Sequence, residues 1–297
     1  MYRSRIIPLI ALALFAGCGG GSNSDQPTDE ATNLVIGGNE NVVASLYQMP
    51  TPNELFGLVR DMAGEGHKRM LSPASQVDKY VSRRARAINF GVYATDLVYA
   101  SSFKLNVEVA RYYLTTKKLA DELGINAAFT DADFVRLESN LTRGDSLEVI
   151  SNQAYQRAYE KMQQESMGPV LAMVLAGGWL ESMHLVMRQI DAFGKNEALT
   201  ARVAEQKVTL EHLISMMTEF KDDPDVAPVY TELVSLRDIY DQLNVVRAPH
   251  QGASSSGRMV LGDDITVEMT DAKYEDLKQA VSRLRAAWTK PEDQTNS

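Results

Sequence analysis

Gly168-Pro169-Val170-Leu171-Ala172-Met173-Val174-Leu175-Ala176-Gly177-Gly178-Trp179-Leu180-Glu181-Ser182-Met183-His184-Leu185-Val186-Met187 decides the fold class. Gly168-Pro169 breaks whatever precedes it, and Pro169 belongs in a first helical turn, where a missing N–H leaves nothing unpaired. From Val170 to Phe193 the chain is more apolar than any other segment beyond the N-terminal leader. A helix that is apolar nearly all round is buried in a larger assembly of helices. Val170–Phe193 is therefore expected to be the central helix of a bundle.

The flanking segments supply the helices that would wrap it. Ser72-Pro73 has N-cap and N1 chemistry, and Val77, Tyr80, Val81, Ile88, Val92 and Leu97 follow at helical spacing. One long helix, or a kinked pair, is expected to about Phe103. Leu105–Leu123 follows, with Gly124 as its stop. Thr130 to Asp133 resembles another cap, and Asp145-Ser146-Leu147-Glu148 opens a helix to about Glu165. Downstream, Gly194-Lys195-Asn196 reads as a turn, Glu197–Phe220 and Val229–Leu243 as helices, and Thr270 as the cap of a last helix to Trp288. Upstream, Thr51-Pro52-Asn53-Glu54 is a capping box opening a helix to about Gly64. Asn244–Gly257 has a linker's composition, and Val260-Leu261 with Ile265-Thr266-Val267 suggests a hairpin across Gly262-Asp263-Asp264. The expectation is an all-α fold: an irregular bundle of about eight or nine helices in one domain over 33–290, a small hairpin near 259–268, and a disordered tail at 291–297.

The N-terminus carries an export pattern. Arg3 and Arg5 precede the apolar run Ile6–Ala16, which is too short to span a bilayer as a permanent helix, and Phe15-Ala16-Gly17-Cys18 resembles a bacterial lipobox. Residues 1–17 are expected to be a signal peptide and Cys18 the lipidated first residue. Phe15 stands where Leu is usual. Residues 19–32, made of Gly, Ser, Thr, Asp and other small or polar residues and free of large apolar side chains, read as a flexible tether. Gly19 after the Cys favours the outer membrane, on its periplasmic or its surface face.

Composition narrows the chemistry. Thirty Lys and Arg stand against 39 Asp and Glu, a formal charge of −9, which argues against nucleic acid as a partner because phosphate binding needs a basic face. Cys18 is the only Cys, so its acylation leaves no thiol for disulfides, zinc or nucleophilic catalysis. Glu181-Ser182-Met183-His184 has the i, i+3 spacing of di-metal bundles, but those need two such motifs and further carboxylates. Glu181 and His184 are thus weak metal candidates, more readily explained as helix-interface groups. Met173, Met183, Met187, Met216 and Met217 read as core filler. Ser101-Ser102-Phe103-Lys104 matches S-x-x-K without its companion motifs, and the glycine-rich Gly252–Gly257 is followed by Arg258-Met259 where a phosphate loop needs Lys and Ser or Thr. No catalytic set and no cofactor are expected.

Tyr80, Tyr93, Tyr99, Tyr112 and Tyr113 concentrate amphipathic rings on neighbouring helices, where they either tie helices together through their hydroxyls or line a cleft. The cleft alternative would use Tyr93, Asp96, Tyr99, Tyr112 and Trp179. Arg83, Arg84 and Arg86 form a basic cluster that reads as a solvated face with local ion pairs or a contact for headgroups or an acidic partner.

Asn89-Phe90-Gly91-Val92-Tyr93-Ala94-Thr95-Asp96-Leu97-Val98-Tyr99-Ala100, Lys118-Leu119-Ala120-Asp121-Glu122-Leu123-Gly124-Ile125 and Leu175-Ala176-Gly177-Gly178-Trp179-Leu180-Glu181 resemble an uncharacterised helical lipoprotein family of Bacteroidota. The similarity runs from about Pro50 to Trp288 and implies location and fold, without an activity. Independently, Gly91, Gly177 and Gly178 inside helical patterns each cost about 1 kcal/mol relative to Ala, which marks close helix approach. The resulting expectation is an outer-membrane-anchored lipoprotein, its acyl groups including palmitate, acting as a non-enzymatic interaction or scaffold module with envelope proteins as partners. The alternative is a helical domain that binds a small ligand.

Overall fold

A computed structural model describes residues 68–126, 130–140, 144–190, 197–249 and 263–292, all within one compact unit, Val35–Ser297. The signal peptide, Cys18, the tether, the helix expected from Thr51 and the turn at Gly194 lie outside the described residues, as does the glycine-rich stretch Gly252–Gly257.

Eight α-helices are described: α1 Arg83–Ser102, α2 Asn106–Leu123, α3 Asp131–Ser139, α4 Gly144–Gln164, α5 Gly168–Gln189, α6 Glu197–Met217, α7 Val226–Tyr240 and α8 Asp271–Trp288. This is the all-α multi-helix bundle that the patterning predicts. Helix α5 is long and apolar enough to cross a membrane, yet 94% of its most apolar window is buried inside the protein, as befits a core helix.

Local chemistry explains most boundaries. Gly124 at φ 80° ends α2, with its own amide and that of Ile125 returning to carbonyls of the last turn. The Thr130 hydroxyl donates to Asp133 Oδ2 at 2.6 Å and accepts from the Asp133 amide at 3.1 Å, a closed cap on α3. The Thr270 hydroxyl accepts from the Lys273 amide at the start of α8.

Three boundaries depart from expectation. Ser72-Pro73 opens a 3-10 turn, Ala74–Lys79, instead of the long helix, and Tyr80 returns to extended backbone. Helix α1 begins only after Ser82, whose hydroxyl accepts from the Ala85 amide at 3.1 Å. The reason is tertiary: the polar groups of Ser72 are bound by other helices and cannot cap their own. The hairpin is also different. β1 Asn244–Pro249 pairs antiparallel with β2 Asp263–Glu268, placing Val245 opposite Val267 and Val246 opposite Thr266. Val245-Val246, within a segment of linker composition, thus lies in a strand, in keeping with the preference of β-branched residues for extended backbone. Val260-Leu261 lies outside the described residues. Finally, Pro291 and Glu292 belong to the fold, since Glu292 accepts hydrogen bonds from the amides of Val81 and Ser82 at 2.6 and 2.8 Å.

The core is organised by the crossing of α1 and α5. A Cβ on Gly91 would run into the Val174 carbonyl and come within 2.7 Å of the Gly178 amide, and one on Gly177 would strike the Ile88 carbonyl. The two backbones therefore touch, and Thr95 Oγ1 donates to the Gly178 carbonyl at 3.3 Å. This close approach brings Asp96 and Glu181 towards the same point.

Candidate functional site

Asp96 on α1 and Glu181 on α5 are both fully buried. Arg285 of α8 meets them with a two-point contact, Nε to Glu181 Oε2 at 2.5 Å and Nη2 to Glu181 Oε1 at 2.7 Å. Its place there follows from the helix pattern: Tyr274, Leu277, Val281 and Trp288 are the buried positions of α8, and Arg285 falls on the same stripe. A cation on that stripe enters the interior and requires a buried anion.

The cluster is roofed by the segment that precedes α1. The Ser72 amide donates to Asp96 Oδ2 at 2.9 Å, the Ser72 hydroxyl accepts from Arg285 Nη2 at 2.7 Å, and the Ser72 carbonyl accepts from the Tyr112 hydroxyl at 2.5 Å. Next to it the Pro73 carbonyl accepts from the Tyr93 hydroxyl at 2.9 Å. One residue is thus held by α1, α2 and α8 at once.

Two acids face one guanidinium. Burial first, then the charge of Glu181, pushes the Asp96 carboxyl well above its ordinary range, against the opposing pull of Arg285 and of the Ser72 amide. Among the described residues Asp96 Oδ1 has no hydrogen-bond partner, whereas Oδ2 accepts the Ser72 amide. A carboxyl that holds its proton more tightly is what a second buried acid beside one guanidinium requires.

The candidate residues fall into two groups around this cluster. Tyr93 and Tyr112 bond backbone carbonyls, while the Tyr99 hydroxyl meets Gln189 at 2.6 Å and Met70 Sδ at 3.6 Å. Tyr80 and Tyr113 likewise donate to the carbonyls of Thr289 and Thr130. These hydroxyls tie segments together, and burial raises the Tyr93 and Tyr112 phenols above their ordinary range. Trp179 is buried on α5 with its Nε1 unpaired. Glu181 turns both oxygens to Arg285. His184 lies near Met70, and burial, reinforced by Arg285 and Arg188, lowers its imidazole to about 3. Among the described residues, no three His, Cys, Asp or Glu side chains are grouped to hold a metal ion.

Arg285 and Ser72 were not among the residues that motif spacing singles out. Arg285 was legible as a charge on an apolar stripe. Ser72 was legible only as a cap, the role it does not have.

No family model, curated protein or solved structure matches this chain. The function rests on its own geometry. What that geometry can do is hold: Glu181, Arg285, Ser72 and Asp96 Oδ2 each bond another part of the same chain.

Proposed function

We propose that the chain is a lipid-anchored lipoprotein of the bacterial outer membrane whose helical domain is a non-enzymatic interaction or scaffold module. Cys18 in Phe15-Ala16-Gly17-Cys18 would be the anchor, Gly19 the sorting residue and residues 19–32 the tether, as in the lipoprotein family that the α1 and α5 motifs resemble. Three acyl chains on one Cys would hold the chain firmly, since each buried CH₂ contributes about 0.8 kcal/mol.

The observation that carries this reading is the seat of Ser72. A protein held by its N-terminus receives any pull through the residues that follow the anchor. Near the start of the described residues, Asp96, Arg285 and Tyr112 hold the amide, hydroxyl and carbonyl of Ser72, so a load that reached Ser72 would meet three helices.

Proximity crosslinking of the full-length lipoprotein in native envelopes, with residues 1–32 alone as control, tests the scaffold role. A reproducible protein partner above the control supports it; none above the control overturns it. Cys18→Ser tests the anchor by moving the chain from the membrane pellet to the soluble fraction. Protease treatment of intact cells reports the exposed face.

A further inference from the structure

A cleft of about 480 Å³ opens where the start of α1, the first turns of α7 and the end of α8 meet. That volume lies within the range of small-ligand sites. Ile88, Val229 and Trp288 give it an apolar floor, and two acids and two bases stand around it: Glu232, Glu292, Arg84 and Lys290.

The acids are already committed. Glu232 Oε2 accepts the Trp288 indole N–H at 2.7 Å. Glu292 accepts from the Val81 and Ser82 amides and, at 2.6 Å, from the Ser82 hydroxyl. The bases are not. Arg83 pairs with Asp223 and Asp225, and Arg86 with Glu122 at 2.9 Å, whereas the side chains of Arg84 and Lys290 make no hydrogen bond or ion pair among the described residues. Arg84 influences Glu292 only through space. Hydrogen bonds from neutral donors leave both carboxylates charged, so the cleft is formally balanced; what it offers a ligand is two cationic side chains with no carboxylate bound to them.

A second hollow of about 370 Å³ shares Glu232 and Ala287 with the first and continues between α7 and α8 over Leu236, Ile239 and Leu284. From Pro228 to Ile239 the rise of α7 gives this joint groove a length of roughly 16 Å. The free cationic side chains of Arg84 and Lys290 stand at one end, and the other end is mostly apolar, with Arg283 also in its lining. Such a surface complements a molecule with an anionic head and a single hydrocarbon tail.

We propose that this groove binds a single-chain anionic amphiphile, its carboxylate or phosphate between Arg84 and Lys290 and its hydrocarbon over Trp288 into the hollow between α7 and α8. The assignment is independent of the anchor at Cys18 and of the scaffold role, and it lies apart from the buried Asp96–Glu181 cluster.

Calorimetric titration of the full-length chain carrying Cys18→Ser, with dodecyl probes below their micellar concentrations, tests it. Dodecanoate and dodecyl phosphate should bind saturably at one site and at least tenfold more tightly than dodecyltrimethylammonium. The better of the two anionic heads separates a free fatty acid from a phosphate-headed lysolipid as the source. In Arg84→Ala/Lys290→Ala the preference should collapse, and in Arg84→Glu/Lys290→Glu it should reverse towards the cationic head. The reversed variant also guards against simple misfolding, because an unfolded chain would not gain selective binding. Equal affinity for anionic and cationic heads, no saturable binding, or selectivity unchanged in both variants would overturn the assignment.

Discussion

Arg285 and Glu181 lie 104 positions apart and form a two-point ion pair in which the carboxylate is fully buried and the guanidinium retains 16% exposure. The parallel N–H···O contacts are the strong form of this interaction, because a planar fork meets both carboxylate oxygens. The pair joins α5 to α8, and through the hydroxyl of Ser72 it also holds the segment entering the bundle.

Removing one partner leaves the other charge buried and alone. Glu181→Ala or Arg285→Ala should therefore lower unfolding stability by about 3–5 kcal/mol, read from urea denaturation. Replacing both by Leu should lose much less, since no buried charge is left behind. A single variant that loses under 1 kcal/mol would refute the structural importance of the pair.

Asp96 makes stability depend on pH in a definite direction. Its folded carboxyl titrates well above its unfolded value, owing to burial and then to Glu181. The stability it contributes is complete below the unfolded value, about 4, and is lost as pH rises towards the folded value. Asp96→Asn, neutral at every pH, should gain on the wild type as pH rises. Melting temperatures of the two proteins from pH 4 to 9 should diverge, and parallel curves would contradict a raised Asp96 carboxyl.

His184 acts in the opposite direction. Its folded imidazole is lowered to about 3, by burial first and then by Arg285 and Arg188. The unfolded chain therefore takes up a proton at about pH 6.5 that the folded chain refuses, and stability falls as pH drops from there towards 3. His184→Gln should remove this component of acid sensitivity. An imidazole resonance assigned to His184, by its loss in His184→Gln, that titrates near pH 6 would contradict the burial of this ring.

Close backbone contact at the crossing of α1 and α5 predicts a ranking among glycines. Gly91→Ala and Gly177→Ala set a methyl group against fixed carbonyls and should cost about 1–3 kcal/mol or more. Gly178→Ala meets the Thr95 hydroxyl at 3.3 Å, which can rotate, and the Gly91 carbonyl at an ordinary contact distance of 3.6 Å. Its loss should be the smallest of the three by thermal unfolding.

Much of this architecture was legible from neighbours in the chain. Gly124, Thr130 with Asp133, and Thr270 act within a few residues of themselves, so their letters suffice to mark helix ends. Val170 to Met187 shows a core helix because only a protein interior accepts so many apolar side chains around one axis. Gly91 and Gly177 marked close approach because glycine is unfavourable inside a helix without a reason from packing. The Asp96 site was legible only in fragments. Asp96, Glu181 and Arg285 each stand out as charges on apolar faces, but pattern alone paired Glu181 with its helical neighbour His184, and the structure pairs it with Arg285.

Sequence by itself determined the helical class, the order of the helices, the central position of Val170–Met187 and most capping residues, because each depends on interactions between residues close in the chain. Tertiary structure alone decided that Ser72 is a clamp and not a cap, that Glu181 faces Arg285, that burial pushes the Asp96 carboxyl up, and that the Arg84 and Lys290 side chains stand unpaired beside Trp288. These are outcomes of which helices meet. A buried charge must find its partner wherever packing places one, and that choice is made across the bundle.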